Sequence, residues 1–303
     1  MMKAGSIDLG TNTCLLLIAD IDVERRKVQE IIVDESSLVR LGRAVDASGK
    51  FTEEGKQATL DCLKRYQRIV EKQGLQPRDI RCVATAGARG AKDAQEFLDE
   101  IWDETRFKFE ILSGSDEAQL SFNGALLEGM DPAQSAVIDI GGGSTEYMSK
   151  MGGLSLDMGA VRFTERYLTS DPVTDDEFWV CRAKIDEELR SVKPWRNFLN
   201  DDTRLVAVAG TATNLGSWFL NQDTFDRNRL DQTVLQTGDV HRMVEELKWR
   251  SVKERGQLPG IELGRADVIL AGALILWRSM ELLGFQECHI STRGLRFGIL
   301  FRH

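Results

Sequence analysis

The sequence predicts an α/β protein built from two related lobes. Strand-like and helix-like segments alternate almost throughout, the pattern of sheets covered by helices. A strand–turn signature, Ser6-Ile7-Asp8-Leu9-Gly10-Thr11-Asn12-Thr13, returns as Val137-Ile138-Asp139-Ile140-Gly141-Gly142-Gly143-Ser144. The spacing, roughly 130 residues, is domain-sized and too long for a solenoid. The chain of 303 residues also exceeds the usual single-domain length of roughly 100–200.

Each element has a local reason. Residues 7–9 and 14–21 read as strands around a polar turn. Residues 52–73 read as a helix: Thr52 caps it, Glu53 and Glu54 suit its positive end, and Gly74 ends it. Cys62, Leu63, Tyr66, Ile69 and Val70 recur at helical spacing and mark its buried face. A β-rich run at 80–84, a helix around 93–104 and a strand at 107–112 complete the first half. The second half opens with a buried-type strand at 136–140 and a glycine turn at 141–144. A helix at 174–192 starts with a Thr174/Glu177 capping box. A strand at 205–209 enters Gly210-Thr211-Ala212-Thr213, helices follow at 239–255 and 265–283, and a strand closes at 287–291. With five prolines and no Pro/Gly/Ser-rich linker, the lobes are expected to join through short crossings.

Composition narrows the function classes. Hydrophobic content of 42% with 29% charged residues suits a globular core and rules out low-complexity disorder. The net charge of −9 argues against nucleic-acid polymers as partners. Five scattered cysteines without a C-x-x-C exclude a disulfide framework or zinc knuckle. The apolar run 268–277 is too short to span a bilayer, and the first residues run directly into a strand, so a cytoplasmic protein with no membrane partner is expected. His241, His289 and His303 are too dispersed for a metal cluster. No Ser–His–Asp or Cys–His nucleophile emerges.

The repeated turns carry the chemistry. Successive backbone N–H groups of Gly141, Gly142 and Gly143 form an anion cradle that a Cβ would obstruct, and the hydroxyls of Thr11, Thr13, Ser144 and Thr145 add donors. Asp8 and Asp139 stand at the turn mouths, where a carboxylate holds Mg²⁺ directly or through water, and Glu146 points back to the same place. Gly210–Thr213 follows a strand and opens a helix, which makes it a helix-N-terminal anion site. Ser113 and Asp116 form a helix-start signal that puts Glu117 in the first turn, where the dipole favours an ionised base. Arg89 lies just past a strand end within reach of a phosphate; Arg265, Arg293 and Arg296, taken singly, read as surface charges. There is no P-loop motif, and the glycine turn lacks the third glycine of a dinucleotide fingerprint.

Together these stretches resemble the exopolyphosphatase/guanosine pentaphosphate phosphatase (Ppx/GppA) family of the actin-like, hexokinase-like superfamily. The match includes Val83 to Arg89, Ile111 to Leu120, Val137 to Glu146, Ser155 to Arg162, Gly210 to Thr213, Arg265-Ala266-Asp267 and Ser291 to Gly298, in family order. The resemblance implies two ribonuclease-H-like domains flanking a deep cleft: an N-terminal lobe of residues 1–123 with 292–303 packing back onto it, and a C-terminal lobe of 124–291. It places Glu117 as catalytic acid/base and Asp139 and Glu146 as divalent-metal carboxylates, with Asp8 at the other turn. Asn12, Arg89, Gly141 to Thr145, Gly210, Thr211 and Arg265 take phosphate-contacting positions. The implied activity is Mg²⁺-dependent release of terminal phosphate from inorganic polyphosphate, with guanosine pentaphosphate as the alternative substrate and a homodimer as the assembly. An actin-like kinase and a non-catalytic phosphate- or alarmone-binding module are the rivals from other classes. Two positions depart from the family pattern: Gln119 replaces an arginine beside the catalytic acid, and Phe297 stands where an acid is frequent.

Overall fold

In a computed structural model, residues 2–222 and 224–302 are described; His303 lies outside them. The chain divides into two compact units, Met1–Gly124 with Leu295–His303, and Ala125–Gly294.

In the first unit, β1 (Met2–Leu9), β2 (Thr13–Asp22) and β3 (Lys27–Leu38) form an antiparallel meander. β4 (Ile80–Ala84) then joins β1 in parallel, and β5 (Phe109–Ile111) joins β4. The order is β3-β2-β1-β4-β5. Strand residues alternate between the two faces. Ile7, Leu9, Leu16, Ile18, Cys82 and Ala84 pack with Leu63, Tyr66 and Val70 of the helix Glu53–Lys72. That helix is capped as its sequence requires, Thr52 accepting the Gly55 amide at 3.1 Å. The opposite face presents Ala4, Leu17, Ala19 and Ile21 to Phe297 and Leu300 of the C-terminal segment. Phe297, 2% exposed, therefore fills an apolar site where an acid would have no water. Arg296 is not the surface charge expected: its guanidinium makes two bonds to Asp34, at 3.0 and 3.2 Å, and its carbonyl accepts from Ser6 Oγ at 2.7 Å.

The second unit repeats the plan. β6 (Ser135–Ile140), β7 (Thr145–Ser149) and β8 (Gly152–Leu156) form the meander. β9 (Arg204–Val208) lies parallel to β6, β10 (Val234–Gln236) is an added edge, and β11 (Glu287–Ile290) pairs with both β9 and β10. The order β10-β11-β9-β6-β7-β8 contains the same five-strand arrangement as the first sheet. Both units are thus ribonuclease-H-like. The helix Ile269–Leu283 is apolar nearly all round and runs through the core, which explains the apolar run seen in the sequence. Among the described residues, no helix is long and apolar enough to cross a membrane.

Three helix bounds differ from expectation. The helix expected at 174–192 stops at Glu188 and tightens to a 3-10 turn at Leu189–Ser191. The one expected at 239–255 is two helices, Thr237–Lys248 and Val252–Arg255, because Ser251 and Glu254 start a new capping box. The last begins at Ile269, after a short 3-10 turn at Leu263–Arg265. The sequence reading also missed β3, whose residues are all exposed or half-exposed and carry no clean two-residue period.

Candidate functional site

The repeated signature is one structural device used twice. In the first unit Gly10 N donates to Thr13 O at 2.8 Å; in the second, Gly141 N donates to Ser144 O at 3.0 Å. Each bond closes the hairpin between the first two strands of its sheet. The registers diverge at one informative place: Asp8 faces Leu15 across β1–β2, whereas Asp139 faces Glu146 across β6–β7. The second copy therefore carries a carboxylate pair and the first does not.

Around the first turn, Val39 N and Arg40 N both donate to Asn12 O at 3.0 Å, and Gly42 N donates to Thr11 O at 2.8 Å. A Cβ on Gly42 would fall on the Thr11 side chain, so this strap closes only with glycine there. Sequence reasoning missed the strap; its one local signal is Gly42 between Leu41 and Arg43. Thr11 and Asn12 are each 7% exposed, and Asn12 Nδ2 is a buried donor with no hydrogen-bond partner. Such a donor is costly to bury and is explained by an acceptor arriving with a ligand. Thr13 is half-buried beside it.

Arg89 and Glu117 meet in the same unit. Arg89 rides on the short helix Ala86–Gly90 after β4, and Glu117 lies in the first turn of the helix Gly114–Ala125. Ser113 Oγ accepts Asp116 N at 3.1 Å, which starts that helix as predicted. Arg89 Nη1 donates to Glu117 Oε2 at 2.5 Å and to Leu112 O at 3.1 Å. Glu117 is only 7% exposed, so the guanidinium supplies the countercharge that water does not. Gln119 points to solvent on this helix.

In the second unit, peptide geometry aims the glycine turn. Gly141 O accepts Ala160 N at 2.9 Å, and Gly142 O accepts Val161 N at 2.9 Å and Arg162 N at 3.1 Å. These donors open the helix Ala160–Tyr167. In a trans peptide the C=O and the next N–H point in opposite directions. The amides of Gly142 and Gly143 are therefore turned away from that helix as a pair of adjacent donors, Gly142 half-buried and Gly143 buried, in the arrangement of an anion nest. Gly159 lies so close that a Cβ would strike the Gly142 and Gly143 backbone.

Burial sorts the hydroxyls. Thr145 Oγ1 donates to Met158 O inside the unit and is fully buried, a fold contact rather than a donor at the turn mouth. Glu146, 1% exposed, accepts Ser144 Oγ at 2.6 Å and Ser155 Oγ at 2.7 Å, both at Oε1. Among the described residues no cluster of three or more His, Cys, Asp or Glu could hold a metal ion. The donor set is the Asp139–Glu146 pair. Two hard carboxylates are what Mg²⁺ takes from a protein when waters and phosphate oxygens complete its octahedron, so these residues fit that cation. Asp8 belongs to the other unit.

The strand-to-helix turn at Gly210 is likewise built on a missing side chain. The helix Ala209–Phe219 starts directly after β9, with Ala209 at φ 66°. The Arg265 guanidinium occupies the space that a Cβ on Gly210 would need. Arg265 Nε donates to Glu262 Oε2 at 3.1 Å, and Glu262 N donates to Asn214 Oδ1 at 2.8 Å. Arg265 is thus a held cation at a helix N-terminus, not the loose surface charge its sequence context suggested. Thr211, 4% exposed, packs against Gly272 of the core helix.

Comparison with known proteins places this geometry in one family. The model of the Ppx/GppA phosphatase family matches residues 18–303. The chain is 32% identical to exopolyphosphatase 2 of Mycobacterium tuberculosis, over 99% of this chain and 98% of that one. It is 30% identical to a bifunctional 3-dehydroquinate synthase/phosphatase of Fusobacterium nucleatum, of which it spans 43%. Among solved structures, an exopolyphosphatase from Cytophaga hutchinsonii superposes with a TM-score of 0.86 at 27% identity, covering 99% of this chain and 97% of that one. The two ribonuclease-H-like units, the paired turns and these matches agree: the chain belongs to the Ppx/GppA phosphatase family.

Proposed function

We propose that this protein is an exopolyphosphatase: it hydrolyses the terminal phosphoanhydride bond of inorganic polyphosphate and releases orthophosphate, with Mg²⁺ as cofactor. The observation that carries the reading is the duplicated turn, one copy with an orphaned buried donor at Asn12 and the other with its Gly141 and Gly142 carbonyls bound to the following helix, which turns the Gly142 and Gly143 amides away from it. Near-complete coverage of a 32%-identical exopolyphosphatase supports the substrate class.

Each group has a defined task. The Gly142 and Gly143 amides bind the oxygens of the terminal phosphoryl group, where negative charge builds in the transition state. Arg265 at Gly210 and Asn12 Nδ2 orient the anionic chain. Glu117 takes a proton from the attacking water as its oxygen bonds to phosphorus, and the shortened polyphosphate leaves. Arg89 fixes the rotamer of Glu117 through the 2.5 Å contact. Asp139 and Glu146 would hold the divalent cation, which when bound polarises the phosphoryl oxygens.

A cytoplasmic location is supported by five cysteines that are all free and buried. Homodimerisation rests on family membership and is checked by sedimentation. The activity is tested by phosphate release with Mg²⁺, comparing polyphosphate, guanosine pentaphosphate and ATP at equal terminal-phosphate concentration. Preference for polyphosphate is expected. Preference for pentaphosphate would reassign the substrate, ATP-dependent phosphorylation of a co-substrate would indicate a kinase, and binding without release would indicate a sensor.

A further inference from the structure

Asp139, Glu146 and Ser155 form one register row across β6, β7 and β8. Residues directly opposite one another in antiparallel strands project to the same face, so the three side chains are neighbours by construction. Glu146 is 1% exposed, and a carboxylate that has lost its water needs hydrogen-bond donors in exchange. Two of its donors meet on one oxygen. Ser144 Oγ reaches Oε1 from the glycine turn at 2.6 Å, and Ser155 Oγ reaches the same atom from the far strand at 2.7 Å. Ser155 lies outside both turns and is held by its strand, so its hydroxyl acts on Glu146 independently of the phosphate cradle.

We infer that Ser155 is a positioning residue that sets the affinity and selectivity of the divalent-cation site; the inference rests on the reading of Asp139 and Glu146 as that site. With Oε1 committed to two hydroxyls, Glu146 presents its carboxylate to a cation through one oxygen only. Mg²⁺ and Mn²⁺, small and octahedral, accept single-oxygen carboxylates and fill the remaining positions with water and phosphate. Ca²⁺ takes six to eight oxygens, often both from one carboxylate. Two serines on one oxygen therefore hold Glu146 in the mode that favours the smaller ions. Removing the Ser155 hydroxyl leaves Oε1 with a single hydroxyl donor and lets the carboxylate rotate toward two-oxygen binding.

The test is titration of the full chain with Mn²⁺ alone, read by water-proton relaxation, with Mg²⁺ and Ca²⁺ as competitors. In Ser155→Ala, Mn²⁺ binding is expected to weaken on the order of 10-fold, the scale of lost outer-shell partners. The preference for Mg²⁺ over Ca²⁺ is expected to fall with it. Ser155→Thr, which keeps the hydroxyl, retains wild-type values. Ser155→Cys, close in size but a weak donor, gives the same reading if the alanine variant does not fold. A folded Ser155→Ala protein with unchanged Mn²⁺ affinity and unchanged Mg²⁺/Ca²⁺ preference overturns the inference. Asp139→Asn separates the two levels. If it loses the ion while Ser155→Ala does not, only the role of Ser155 fails; if wild type and Asp139→Asn bind Mn²⁺ equally, the cation site itself fails and the inference with it.

Discussion

Arg89 Nη1 lies 2.5 Å from Glu117 Oε2 and also donates to the Leu112 carbonyl, which ties the short helix after β4 to the start of the helix Gly114–Ala125. One guanidinium thus both orients the candidate base and locks the backbone beneath it. Both bonds leave the same Nη1 nitrogen, whose two N–H groups are fixed in the guanidinium plane, whereas the N–H groups of a lysine ammonium rotate.

Glu117→Gln keeps the shape and removes the proposed base. Phosphate release should fall on the order of 10²–10⁴-fold, and because Arg89 loses its countercharge the melting temperature should fall as well. Arg89→Lys should recover only part of the activity lost in Arg89→Ala, because the Leu112 contact goes with the fork. Full turnover by Glu117→Gln would remove it from the mechanism.

Gly210→Ala separates stability from binding. Gly210 is helical and not left-handed, so the gain of about 0.5–1 kcal/mol that alanine brings to a helix is offset by the loss of the Arg265–Glu262 contact, and the net change in stability should be small. Its Cβ would nevertheless displace the Arg265 guanidinium. KM for polyphosphate should rise on the order of 10-fold, and adding Arg265→Ala should cost little more, since both changes remove the same cation. Additive losses in the double mutant would show that Gly210 acts elsewhere.

The start of the helix Asp175–Glu188 carries an acid-sensitive cap. Burial pushes the Glu177 carboxyl up, but bonds from Thr174, Thr169 and Ser170 outweigh it and hold its pKa at about 2, below the ordinary 4.5. A lowered folded-state pKa stabilises the fold above the unfolded value, and that contribution disappears as pH falls from about 4.5 to about 2. After allowance for its partial exposure the loss should be on the order of 1–2 kcal/mol. Denaturant melts across this window should show a flatter profile for Glu177→Gln than for wild type; parallel profiles would contradict the cap.

The C-terminal segment is structural for the first unit. Ending the chain after Gly294 would uncover Ala4, Leu17, Ala19 and Ile21, and also Val83, Leu112 and Leu120. Loss of cooperative folding of that unit is expected, read by hydrogen exchange in β1 and β2. Arg296→Ala alone, which leaves Asp34 without its guanidinium, should cost about 2 kcal/mol. A truncated chain that melts like wild type would rule this out.

The amino-acid sequence by itself determined the α/β class, both turns, the helix start at Glu117 and the acids at Asp139 and Glu146. Those features are written locally: a cap residue, a glycine where backbone must come close, an apolar run of the right length. Tertiary structure alone decided which of these groups face outward. Thr145 turns into the fold on Met158, while Arg265 turns onto Gly210 and Asn12 Nδ2 waits without a partner. The strap at Gly42 and the contact of the Ser155 hydroxyl with Glu146 were likewise not read from the sequence. Their partners lie on other strands and loops, and cross-strand register and close packing, not neighbouring residues, bring them together.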